Sequence, residues 1–201
     1  MNLRGQRLLV ATHNHGKLEE IVDLLTPYGV SVVSAGELGL PVPAETEETF
    51  VGNARLKALA GARATGLPTL ADDSGLSVDA LGGAPGVHTA DWAETPRGRD
   101  FDLAMQRLWD ALETTGASAP RRAQFRSTLV LALPAGGDEV FEGVVPGQIV
   151  WPKRGNQGHG YDPVFLPDGY TQTFGEMDRW EKNRISHRAM AFNKFVEACF
   201  T

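Results

Sequence analysis

Short apolar runs and apolar residues at helical spacing alternate along the chain. Arg7–Ala11 has the make-up of a short buried strand. Leu18, Ile21, Val22, Leu24 and Leu25 then share a helical face until Pro27 and Gly29 stop it. Val30–Val33 reads as a second strand, and Pro41-Val42-Pro43 marks a loop. Phe50, Ala54, Ala58 and Ala62 recur at helical spacing and predict a long helix over Glu48–Thr65, with Asn53 and Lys57 four apart on an adjoining face. The run from Thr69 reads as a strand that ends on Asp72 and Asp73, with Gly75 opening a turn and Ser77–Leu81 returning as a strand. Phe101, Met105, Leu108, Trp109 and Leu112 predict a helix over Asp100–Thr114. Ala123–Leu133 and Glu139–Val145 form a hairpin pattern around Pro134–Asp138, and Ile149–Trp151 reads as a further short strand. From Glu181 a last helix begins, with Met190, Phe192, Phe195 and Val196 on its apolar face.

Strands and helices alternating early, with a hairpin in the middle, predict an α/β fold: a mixed sheet with helices on both sides. No internal repeat, linker or low-complexity stretch divides the chain, so residues 1–201 read as a single domain.

Several polar clusters interrupt this pattern. Adjacent strand residues point to opposite faces, so Asp72 and Asp73 should not do the same job. One can face a metal or a reacting water while the other braces the turn. Thr12-His13-Asn14-His15-Gly16-Lys17 lies between a strand and a helix N-terminus, a ready site for an anion. It is not a P-loop, and no G-x-G-x-x-G occurs. Glu45, Glu47 and Glu48 either favour the dipole of the following helix or bring one carboxylate to a divalent cation; their spacing leaves the choice open. Gly155, Gly158 and Gly160 let the backbone of the Arg154–Phe165 loop come close to a base or sugar. Lys182, His187 and Arg188 form a dense basic group, a candidate phosphate clamp.

Composition narrows the partners. A net charge of −6 leaves no broad basic surface for nucleic acid or an anionic membrane. Cys199 alone provides no internal disulfide and suits a reducing compartment. No apolar run reaches the roughly 18 residues that span a bilayer, and Met1–Arg7 lacks the apolar core of a signal peptide. The cytoplasm is the expected location.

Seven motifs occur in order: Thr12-x-Asn14-x-x-Lys17; Glu45; Phe50-x-x-Asn53-Ala54-x-x-Lys57-Ala58; Ala71-Asp72-Asp73-Ser74-Gly75-Leu76; Gly83-Ala84-Pro85-Gly86; Gly160-Tyr161-Asp162-Pro163; and Ser186-His187-Arg188. Together they resemble the inosine triphosphate pyrophosphatase family, from about Leu8 to the last helix. The resemblance implies an elongated homodimer with two lobes around a central cleft. It implies Mg²⁺-dependent hydrolysis of ITP, dITP and XTP to the monophosphate and pyrophosphate, which clears these nucleotides from the pool. By that resemblance Glu45 and Asp73 hold the metal, and Asp73 is the general base. Thr12 to Lys17 (His13, Asn14, His15 and Gly16 included), Lys57 and Ser74 would line the phosphate end. His159, Gly160, Tyr161, Asp162, Lys182, His187 and Arg188 would contact the nucleotide. Two positions depart from the family pattern: His159 stands where Phe is common, and His88-Thr89-Ala90-Asp91 where Tyr-Ser-Ala-Arg is common. The other readings are a house-cleaning pyrophosphatase for other modified nucleotides and a nucleotide sensor that does not turn over.

Overall fold

The computed structural model describes residues 2–12 and 15–200. Its strands are β1 (Arg7–Val10), β2 (Ser31–Ser34), β3 (Thr69–Val78), β4 (Glu94–Thr95), β5 (Gly98–Arg99), β6 (Arg121–Ala132), β7 (Asp138–Ile149) and β8 (Phe165–Pro167). Six of them form one mixed sheet in the order β2-β1-β3-β6-β7-β8, and β4 and β5 make a small hairpin. β1 runs parallel to both β2 and β3, and β7 runs antiparallel to β8. The helices are α1 (His15–Leu25), α2 (Phe50–Thr65), α3 (Phe101–Thr115), α4 (Arg179–Ile185) and α5 (His187–Phe200). This is the expected α/β class, a mixed sheet flanked by helices.

The chain forms two compact units, with β3, β6, β7 and α5 contributing residues to each. The first comprises residues 1–73, 128–142 and 191–201. In it Leu8, Val10 and Leu70 pack with Leu129, Leu131, Phe192 and Phe195. A separate cluster sets Ala54, Ala58 and Ala62 of α2 against Ala71, Val130 and Ala132. The small residues of α2 permit a close approach to the sheet: a Cβ on Gly61 would stand 2.7 Å from Thr69 Cγ2 and 2.8 Å from Leu9 Cδ2. Thr49 caps this helix by accepting from Gly52 N at 3.0 Å, so the helix begins at Phe50 rather than at Glu48.

The second unit comprises residues 74–127 and 143–190. Leu76, Val78, Met105, Leu108, Leu112, Phe125, Phe165 and Phe174 belong to its core. Phe125 is the hub, edge-on to Phe165 at 4.6 Å and stacked on His187 at 4.9 Å.

Four expectations need correction. β3 does not end at the carboxylates; Leu76 and Val78 are fully buried, and their burial carries the strand through Gly75 to Val78. Asp79–Leu81 is a 3₁₀ turn closed by Gly82, not a returning strand. Ile149 is the last residue of β7, so no separate strand covers Ile149–Trp151. The last helix is two helices, because Ser186 is extended (φ −69°, ψ 154°) and its Oγ accepts from Ala189 N as a cap for α5. Met190 is exposed, and the buried face of α5 is Ala191, Phe192, Phe195, Cys199 and Phe200.

Candidate active site

Alternation along β3 builds the first cluster. Leu70 packs with residues of α1 and α5, whereas Ala71 packs with α2. Asp72 therefore faces as Leu70 does and Asp73 as Ala71 does. The ion pairs agree: Lys17 of α1 reaches Asp72 Oδ2 at 2.5 Å, and Lys57 of α2 lies 3.7 Å from Asp73 Oδ1. Asp72 thus anchors the lysine that follows the anion loop, rather than bracing a turn. Lys57 also donates to Glu45 Oε1 at 2.5 Å, which ties the loop before α2 to the same ammonium. Asn53, buried in α2, steadies that loop by pairing with Glu47 N and O at 3.0 and 3.1 Å.

Charge and burial conflict at Asp73. Its side chain is 11% exposed. Burial raises its pKa to about 6, Lys57 and Lys17 pull it down, and Glu45 and Asp72 push it up again. Burial lowers the Lys57 pKa, but Asp73, Asp72 and Glu45 outweigh that effect and the net shift is upward. The cluster is a set of hard oxygen donors around a cation, with more negative charge than its buried lysine cancels. Glu45 and Asp73 are already drawn toward one positive centre, which is the donor chemistry a divalent cation of the Mg²⁺ type requires. Among the described residues no three acidic, His or Cys side chains converge as a ready ligand set; Lys57 stands between two of them.

A second cluster forms in the other unit around Asp162, which is 3% exposed. Its carboxylate accepts from the His159 amide at 2.6 Å and from the Lys182 ammonium of α4. Lys182 also lies 5.4 Å from the Phe174 ring centre. Gly158 makes this loop possible: at φ +75° a Cβ there would stand 2.1 Å from Asp162 Oδ2. Gly160 is half-buried, and the His159 side chain is exposed at the loop tip. Tyr161 is a core residue, 1% exposed, with its hydroxyl donating to Thr89 O at 3.1 Å. Burial pushes that phenol pKa upward, so it stays protonated. His187 is buried against Phe125, and Arg188 follows it half-buried in the first turn of α5.

The predicted residues thus gather into two groups. Lys17, Glu45, Lys57, Asp72 and Asp73 meet in one unit; Asp162 and Lys182 meet in the other, where His187 and Arg188 begin α5. Thr12 is buried two residues beyond β1, and Ser74 is half-buried directly after Asp73. His13 and Asn14 lie outside the described residues, as do the side chains of His15 and Gly16. Asp91 Oδ2 pairs with His88 Nδ1 at 2.7 Å on an exposed turn. Sequence reasoning gave Thr89 no role of its own, yet it takes the Leu76 amide on Oγ1 and the Tyr161 hydroxyl on its carbonyl. Its signal was weak, because one Thr in a polar loop has many uses.

Comparison with known proteins points to one family. The chain is 68% identical to the dITP/XTP pyrophosphatase of Ruegeria pomeroyi, over 98% of this chain and 96% of that protein. The dITP/XTP pyrophosphatase of Agrobacterium fabrum is 56% identical, over 98% and 97%. Among solved structures, a HAM1 protein from Coxiella burnetii superimposes with a TM-score of 0.90 at 35% identity, covering 96% of this chain and 97% of that one. A nucleoside-triphosphatase (dITP/XTP pyrophosphatase) from Mycobacterium abscessus gives 0.79 at 38% identity, covering 95% and 99%. The Ham1 family model matches residues 8–198, and the chain belongs to the Ham1 family.

Proposed function

We propose that this protein hydrolyses ITP, dITP and XTP to the monophosphate and pyrophosphate, so that these nucleotides leave the pool before they enter nucleic acid. The observation that carries the reading is Asp73, a buried carboxylate with a pKa raised to about 6 beside Lys57 and Glu45. A group with that proton affinity is ionised near neutrality yet basic enough to take a proton from water. The names of the relatives, which give dITP and XTP, support two of these substrates.

In this reading Glu45 and Asp73 hold Mg²⁺, which when bound neutralises phosphate charge and polarises the bond to be broken. The chain's own residues do the rest. Asp73 orients the attacking water and accepts its proton. Lys57 keeps Asp73 and Glu45 together and offsets their charge. Lys17, held by Asp72, and the Thr12–Gly16 loop with Ser74 bind phosphate oxygens. His159, Gly160, Tyr161, Asp162, Lys182, His187 and Arg188 serve the nucleoside end. Here Asp162 fixes the Lys182 ammonium and the His159 backbone, while Tyr161 supports the loop from the core.

The whole chain works as one domain, as a homodimer in the cytoplasm, on free nucleotides rather than nucleic acid. The net charge of −6 supports the last point. No helix among the described residues is long and apolar enough to cross a membrane. A nucleotide sensor needs cations for the phosphates but has no use for a buried base such as Asp73. Substrate profiling with Mg²⁺ tests the reading. Turnover of ITP and XTP well above ATP and GTP is expected; preference for a different modified nucleotide favours the house-cleaning alternative, and binding without turnover favours the sensor.

A further inference from the structure

The hydroxyl of Thr128 on β6 is buried and lacks a partner. The residue is 1% exposed, and Oγ1 makes no hydrogen bond among the described residues. A buried hydroxyl left in that condition is costly, so sites that keep one usually supply a ligand, a water or a moving side chain.

Its position follows from packing on the neighbouring strands. β3 and β6 are adjacent in the sheet. Leu70 clusters with Leu129 and Leu131 near one end, and Leu76 and Val78 cluster with Ala123 and Phe125 near the other. Numbers rising along β3 therefore match numbers falling along β6, so the two strands are antiparallel. On the α2 face Ala71 clusters with Val130 and Ala132. Two residues onward from Ala71 is Asp73, and two residues back from Val130 is Thr128. Both keep the α2 face by alternation, and both belong to the first unit, each at its boundary. Thr128 thus stands on the strand beside Asp73, with its hydroxyl on the face that carries the carboxylate.

We infer that Thr128 is a positioning residue for Asp73, its hydroxyl holding the carboxylate by a hydrogen bond, direct or through one buried water, in the working enzyme. This rests on the proposed hydrolysis. Thr128 touches neither substrate nor metal; it acts through Asp73. A donor fixed on one carboxylate oxygen leaves the other aimed at the water. Without it the carboxylate rotates, and turnover falls while nucleotide binding, made elsewhere, is kept.

The test is steady-state hydrolysis of ITP with Mg²⁺ by wild type, Thr128→Val and Thr128→Ser, with the melting temperature of each. Val fills the same volume without the hydroxyl, and Ser keeps the hydroxyl without the methyl. Thr128→Val is expected to lower kcat about tenfold with KM within about twofold, a loss confined to the transition state. Thr128→Ser should recover most of kcat even though it loses packing. Thr128→Val should melt no lower than wild type, because a buried hydroxyl is gone. Wild-type kcat in Thr128→Val overturns the inference. So does a parallel fall of kcat and melting temperature in both variants, which marks a packing role. If wild type itself leaves ITP intact, the functional reading fails and this inference with it; active wild type with equally active Thr128→Val removes this inference alone.

Discussion

Asp73→Asn should make the metal-free protein more stable as it destroys activity. The Asp73 carboxyl has a pKa of about 6 in the folded chain, against an unperturbed 3.8. Between those values the folded state holds the proton more tightly than the unfolded state. Stability therefore falls as pH rises through the window, the reverse of an ordinary ion-paired carboxylate. The shift of roughly two units, at about 1.4 kcal/mol each, gives a loss of about 2–3 kcal/mol between pH 4 and pH 7.5. The side chain is only 11% exposed, so solvent screening takes little from this figure. Asn has nearly the same shape and does not titrate. Urea unfolding of both proteins, stripped of metal and measured across that range, isolates the term. The stability of the Asn variant minus that of wild type should grow by about 2–3 kcal/mol as pH rises. A flat difference, or one that shrinks with pH, would refute the claim that Asp73 is ionised at a cost. The same substitution should lower kcat for ITP by about 10²–10⁴-fold, the range for loss of a general base.

Removing divalent cations with EDTA should abolish turnover, and Mg²⁺ or Mn²⁺ should restore it; full activity in EDTA would take the metal out of the mechanism. Lys57→Met removes the cation between Glu45 and Asp73, so kcat should fall at least about tenfold, and a wild-type rate would show that Lys57 is only structural. Gly158→Ala puts a methyl group on the Asp162 carboxylate; a raised KM for ITP is expected, and an unchanged KM would detach this loop from nucleotide binding. His159→Phe should lower KM for ITP with kcat within about threefold, since an exposed ring that stacks on a base adds mostly uniform binding. Equal KM values for wild type, Phe and Ala at position 159 would mean that this side chain faces solvent throughout.

The class of fold and the acidic cluster were legible because each rests on local pattern. Alternation on β3 separates Asp72 from Asp73, and four-residue spacing on α2 sets Asn53 and Lys57 on one side of the helix. What sequence could not show was which charge meets which. Lys17 finding Asp72 and Lys57 finding Glu45 are long-range contacts, fixed only when α1 and α2 dock on the sheet. The continuation of β3 was hidden by Gly75, which reads as a turn until Leu76 and Val78 acquire a core to enter. The break between α4 and α5 was visible in principle, since Ser186 is a good cap, but helical residues on both sides masked it. Thr128 carried no local signal. Its meaning depends on an unpaired hydroxyl and on a neighbouring strand, both of which are tertiary facts.

The position at which the triphosphate is cut tests the proposed hydrolysis most directly. Products of ITP hydrolysis, with Mg²⁺ and free of any contaminating inorganic pyrophosphatase, should be resolved by ³¹P NMR from the first minutes of reaction. IMP and pyrophosphate are expected in equal amounts, with no IDP at any time. IDP with inorganic phosphate as the first products would contradict it, because the attacking water would then be directed to the terminal phosphorus.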